Sequence, residues 1–195
     1  LENRRTMFVT VGKGSDTVAE FKKDFTAHKG NIENITDVSC DMSKAFIKGV
    51  TENIPNAKIT FDKFHIIKLI NKAVDDVRRQ EAKENPILKG TRYIFLKNQK
   101  NLTKHQQKLN EQLVLENLNL KSMTALNMRE TFQQIYHADT YEDFVILLHK
   151  WYQWVTTSGL DAMVAVAKTI KDHWEGIIAW KKSQINNGVL EGLNS

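Results

Sequence analysis

The hydrophobic period of this 195-residue chain changes once, at Asp62, and that switch limits what it can fold into. Upstream, short β-rich runs alternate with short helical ones. Residues 5–11 (Arg-Thr-Met-Phe-Val-Thr-Val) carry Met7, Val9 and Val11 in alternation, which predicts a strand. Gly12-Lys13-Gly14 is a turn signal. Glu2-Asn3-Arg4 reads as another turn, so an earlier strand is expected upstream, paired with this one as a hairpin. Ser15 or Thr17 then caps a helix, and Thr17 with Glu20 has capping-box spacing. Val18, Phe21 and Phe25 follow the helical period until Gly30. Residues 35–40 form a second predicted strand. Ser43 caps a short helix with Phe46, Ile47 and Val50 on one face. Pro55 stops it, and residues 57–61 form a third strand. The order strand, helix, strand, helix, strand predicts a parallel sheet with right-handed crossovers.

Downstream of Asp62, apolar residues recur at intervals of three and four. Phe64, Ile67, Ile70, Val74 and Val77 predict a long helix to about residue 82, broken by Pro86 and Gly90. Thr103 with Gln106 opens a helix through Leu109, Leu113 and Leu115. Residues 120–136 predict another. Thr140 with Asp143 opens one carrying Phe144, Leu147, Leu148, Trp151 and Val155. A last helix is expected over 160–180, with Met163, Ala167, Ile170, Trp174 and Ile177 on one face. Tyr93-Ile94-Phe95-Leu96 is a short apolar run of ambiguous type.

Composition narrows the function classes. No run approaches eighteen apolar residues, so no membrane span is expected. A single cysteine, Cys40, excludes an internal disulfide framework and a cysteine-rich zinc site, and fits a cytoplasmic protein. The six histidines show no metal-ligand spacing. The net charge of +5 and pI of 9.2 suit a nucleic-acid partner without requiring one. Basic stretches such as those at 97–104, Arg78-Arg79 and Lys181-Lys182 are more often solvated faces than DNA tracks. Four tryptophans fall in the last two long helices, where most belong to a core and an exposed one could stack on an unpaired base. The chain opens at Leu1 and stops at Asn194-Ser195 inside a helical pattern, and it is read as a segment of a longer protein.

The candidate chemistry lies in carboxylates. Ligands of open parallel sheets bind at the carboxyl ends of the strands. Asp41 ends the second predicted strand and Asp62 the third, so both belong on one edge. There a carboxylate can take a hard divalent cation. Each can equally be the cap of the helix that follows. Ser43 suits the cap after Asp41, which leaves Asp41 free, whereas capping fits Asp62 well. Glu191 follows Asn186-Asn187-Gly188, a helix-entry signal, and either complements a helix dipole or joins the same site. Asn187 and Asn194 flank it; their spacing alone reads as a turn and a solvated face, and as polar groups they are also able to contact a phosphate. His65 lies one turn into the long helix beside Asp62.

Asp41-Met42-Ser43, Lys48-Gly49-Val50, Pro55-Asn56-Ala57 and Phe61-Asp62-Lys63-Phe64-His65 together carry a wider pattern. Residues 68–79, 88–93 and the closing Asn187-Gly188-Val189-Leu190-Glu191-Gly192-Leu193-Asn194 continue it. In this order they resemble the bacterial DDE transposases of the ISL3 family. The resemblance implies an α/β fold, an RNase H-like core of mixed sheet and helices interrupted by a large all-helical insertion. The core's first part would be residues 1–62, the insertion 63–185, and residues 186–195 the start of the last catalytic helix. It implies Asp41 and Glu191 as the second and third acidic residues of a triad, with Asp62, His65, Asn187 and Asn194 in support. The first triad aspartate is expected just before Leu1, which leaves this segment by itself inactive. Two Mg²⁺ ions (or Mn²⁺), DNA as substrate, a homo-oligomeric active complex and a bacterial cytoplasmic location complete the implication. The expected function is DNA cleavage and strand transfer. The alternatives are a nuclease or resolvase that only hydrolyses, and a non-enzymatic DNA-binding or assembly fragment.

Overall fold

A computed structural model of the chain describes residues 7–115 and 120–183. Helix makes up 69% of the structure and strand 5%. The elements run α1 (Asp16–Ala27), β1 (Asp37–Cys40), α2 (Lys44–Asn53), β2 (Lys58–Phe61), α3 (Lys63–Glu81) and α4 (Arg92–Leu96). They continue with α5 (Lys104–Leu115), α6 (Lys121–Ile135), α7 (Tyr141–Thr156), α8 (Asp161–Asp172) and α9 (Trp174–Ser183). The chain divides into two compact units, one of residues 1–65 with 175–195 and one of residues 66–174.

In the first unit, β1 and β2 pair in parallel, with Cys40 opposite Phe61 at the carboxyl end. Helix α1 packs on α2 where Gly49 leaves no room for a side chain. A Cβ there would sit 2.9 Å from the Ser15 carbonyl oxygen. Gly176 does the same for α9 on β2: a Cβ there would collide with the Phe61 ring. Val50, Ile54, Phe61, Ile177 and Ile178 are buried in this unit.

The second unit is a helical bundle. Ile70, Val74 and Val77 of α3, Phe132 of α6, Leu148 and Trp151 of α7, and Ile170 of α8 are buried. Phe132 stacks edge-on against Trp151 at 4.8 Å, and the Trp151 indole N–H donates to the Met128 carbonyl at 2.7 Å. Such pairing lets a large ring bury its polar atom at no net loss. Capping follows the predicted pattern at two helix starts. The Thr103 hydroxyl accepts from Gln106 N–H at 3.3 Å while Gln106 Oε1 accepts from Thr103 N–H at 3.0 Å. The Thr140 hydroxyl accepts from Asp143 N–H at 3.0 Å.

Several expectations are corrected. The RNase H-like mixed sheet is not found: the described residues hold one two-stranded parallel sheet in a mostly helical structure. Residues 7–11, expected as a further strand, are irregular, with Val9 and Val11 exposed. Alternation alone does not make a strand, because its backbone groups need a neighbour to bond. Thr17 is not a cap. It lies inside α1, buried, and its hydroxyl donates to the Gly14 carbonyl at 2.7 Å. The single helix expected over 160–180 is two, since His173 leaves the helical conformation between α8 and α9. The ambiguous run at 93–96 is helix α4, with Ile94 and Phe95 buried. Arg78 is no part of a basic surface, being buried with its guanidinium 2.7 Å from Asp75 Oδ1.

Candidate active site at the ends of the paired strands

Cys40 and Phe61 are register partners in a parallel pair, so the next residues, Asp41 and Asp62, leave the sheet at the same edge. Paired strands lie about 4.8 Å apart, which makes the two aspartates backbone neighbours. Asp62 N–H donates to the Cys40 carbonyl at 3.1 Å and ties the two strand ends together.

Each aspartate then uses one oxygen in the same way. Asp41 Oδ1 accepts from Ser43 N–H at 2.9 Å, and Asp62 Oδ1 accepts from Phe64 N–H at 3.0 Å. These local bonds open α2 and α3. Ser43 occupies the cap position of α2 but its side chain makes no capping bond. The expectation that Ser43 relieves Asp41 is therefore corrected: Asp41 itself orders that turn, because its oxygen reaches the amide two residues on.

Burial separates the pair. Asp41 is half-buried and lines an open groove of about 1100 Å³ with Phe8, Phe21, Cys40, Phe46 and His65. Asp62 is only 4% exposed, and its Oδ2 is buried without a hydrogen-bond partner. His65 Nδ1 is buried and unpartnered too, 3.6 Å from that oxygen. Burial, and secondarily the Asp41 charge, push the Cys40 thiol pKa up to about 11, so it is a poor nucleophile near neutrality.

The structure thus brings Asp41, Asp62 and His65 to one strand edge. Glu191, Asn187 and Asn194 lie outside the described residues. Among the described residues no group of three or more His, Cys, Asp or Glu is arranged to hold a metal ion. Asp41 alone fits a hard cation that keeps most of its water, through an oxygen at the groove. Asp62 does not, because its spare oxygen is enclosed. Lys63 is a residue of this edge that was not singled out from the sequence. It is half-buried, and burial lowers its ammonium pKa. Its position between Asp62 and Phe64 in the motif was the available signal.

The family model for ISL3-type DDE transposases, described as "Transposase", matches residues 1–195. The chain belongs to the ISL3 transposase family. It is 24% identical over 200 residues to the transposase for insertion sequence element IS1001 of Bordetella parapertussis, covering 98% of this chain and 48% of that protein. The chain thus spans about half the length of this curated relative. No solved structure matches. No helix among the described residues of this ISL3 chain is long and apolar enough to cross a membrane.

Proposed function

We propose that this ISL3 chain supplies part of a phosphoryl-transfer site that cuts DNA and joins the cut ends to a target. The observation that carries the reading is Asp41, half-buried at the carboxyl end of β1 and lining a groove there. Asp41 and Glu191 would hold Mg²⁺ or Mn²⁺. A bound divalent ion activates the attacking oxygen and steadies the leaving one. The chain's own part is placement. The Ser43 N–H fixes the Asp41 carboxylate, and the bond from Asp62 N–H to the Cys40 carbonyl fixes the strand end beneath it. The +5 charge favours the phosphate backbone. DNA as substrate, a homo-oligomeric active complex and a bacterial cytoplasmic setting belong to the same proposal.

The test is substitution in a longer, active form of the protein. Asp41→Asn or Glu191→Gln abolishes cleavage and leaves DNA binding nearly intact, because each removes charge but little bulk. Mn²⁺ binding, followed by its paramagnetic resonance, weakens in Asp41→Asn. Full cleavage by Asp41→Asn overturns the assignment. Strand-transfer products distinguish a transposase from an enzyme that only hydrolyses.

A further inference from the structure

Buried polar atoms are nearly always hydrogen-bonded, and each exception needs an explanation. Two exceptions lie side by side at the end of β2: Asp62 Oδ2 and His65 Nδ1. Their 3.6 Å separation is longer than a hydrogen bond. A hydrogen bond between them would satisfy both atoms at once. The carboxylate cannot answer the need by turning to water. It is 4% exposed, and its other oxygen is held by the Phe64 amide. The His65 side chain is 38% exposed and lines the groove that Asp41 also lines. Nδ1 is enclosed, so the ring's exposure belongs to its other atoms.

We propose that Asp62 and His65 form a pair in which the carboxylate accepts the Nδ1–H of the ring. The ring then presents a bare Nε2 to the groove as the acceptor that orients the attacking O–H group. Asp62 is the positioning residue, acting through His65. One partner N–H decides which nitrogen of a histidine is free, so the carboxylate sets the ring's tautomer as well as its angle. The identity of the group that meets Nε2 rests on the phosphoryl-transfer reading above. The pairing itself does not.

The pairing is read directly from the 195-residue chain by long-range ¹H–¹⁵N correlation of its histidines at pH about 9, where an ordinary histidine is neutral. The expected result is His65 in the Nδ1–H form. A ring still doubly protonated there supports the same contact. A neutral Nε2–H form overturns the proposal, and this measurement needs no variant that has to fold. Asp62→Asn keeps an acceptor for the Phe64 amide, since Asn is also a good cap, but turns an NH₂ donor toward the ring. His65 then switches to Nε2–H, and an unchanged tautomer overturns the pairing. In a longer, active form, Asp62→Asn and His65→Ala each lower kcat about ten- to a hundredfold with DNA affinity unchanged. The double variant is no slower than His65→Ala, because one residue acts through the other. Fully additive losses overturn the proposal. Asp41→Asn is the control: if it cleaves at full rate the phosphoryl-transfer reading falls, while the tautomer still decides the pairing.

Discussion

The two units of this chain solve the same burial problem with different completeness. Within residues 66–174, Trp151, at 1% exposed, and the fully buried Phe132 and Phe144 form an enclosed aromatic core, while Tyr93, Ile146, Leu147 and Trp154 stay at the surface. Within the described part of the other unit, the sheet has two strands and a groove of about 1100 Å³, and Met7, Val9 and Val11 are exposed. Each kind of element draws its stability from a different source. A helix satisfies its backbone internally and needs only an apolar neighbour. A strand needs a second strand as well. The unit whose backbone bonds are local closes its core, and the unit that depends on pairing keeps an open face. That open face is where Asp41 lies.

Substitutions in the two units should differ in their cost. The largest effect is expected at Trp151→Ala. It removes the ring packed on Phe132 and the bond to the Met128 carbonyl, and should cost about 3–5 kcal/mol. Chemical denaturation followed by circular dichroism checks it. A loss under about 1 kcal/mol would mean that the bundle core is far looser than its burial implies.

Next comes Gly176→Ala in the sheet-bearing unit. The added methyl must displace the Phe61 ring, and overpacking of this kind costs about 1–3 kcal/mol. Phe61→Leu in the same background should recover part of the loss by making room. If Gly176→Ala is neutral, α9 does not press on β2 as described.

Thr140→Ala removes the hydroxyl that accepts from Asp143 N–H at the start of α7. A loss of about 1 kcal/mol is expected in the melting curve. The smallest effect is expected at Val11→Thr, where the side chain is 99% exposed. Stability should stay within about 0.5 kcal/mol. A larger loss would show that residues 7–11 are paired in solution, and would remove the contrast between the units.

Local signals were legible where the physics is local. Thr103 with Gln106 and Thr140 with Asp143 announced two helix starts that the structure forms, because a cap is settled within four residues. The apolar faces of α7 and α8 were largely readable from their period, as were Ile70, Val74 and Val77 of α3 and the parallel pairing of β1 and β2, but Phe64 and Leu147, read on those faces, are exposed, and Ile66 is buried instead. The placement of Asp41 and Asp62 at one edge follows from those same strands. Tertiary structure decided the rest. Thr17 has a cap's spacing but lies buried inside α1, because the helix begins one residue earlier, at Asp16, with Ser15 in the cap position. Residues 7–11 alternate like a strand and stay irregular, forming no ladder with β1 or β2. The helical pattern of 160–180 runs unbroken in sequence, yet the chain turns at His173, one residue before the last residue of the second unit. The unequal burial of Asp41 and Asp62 is written nowhere in their motifs. Both carboxylates bond the amide two residues on, which is local, but which of them keeps an oxygen at the groove depends on how distant segments pack around the strand ends. Periodicity and capping are properties of a few consecutive residues, so the sequence alone determined them. Pairing and burial belong to segments far apart in the chain, so only the assembled structure could assign them.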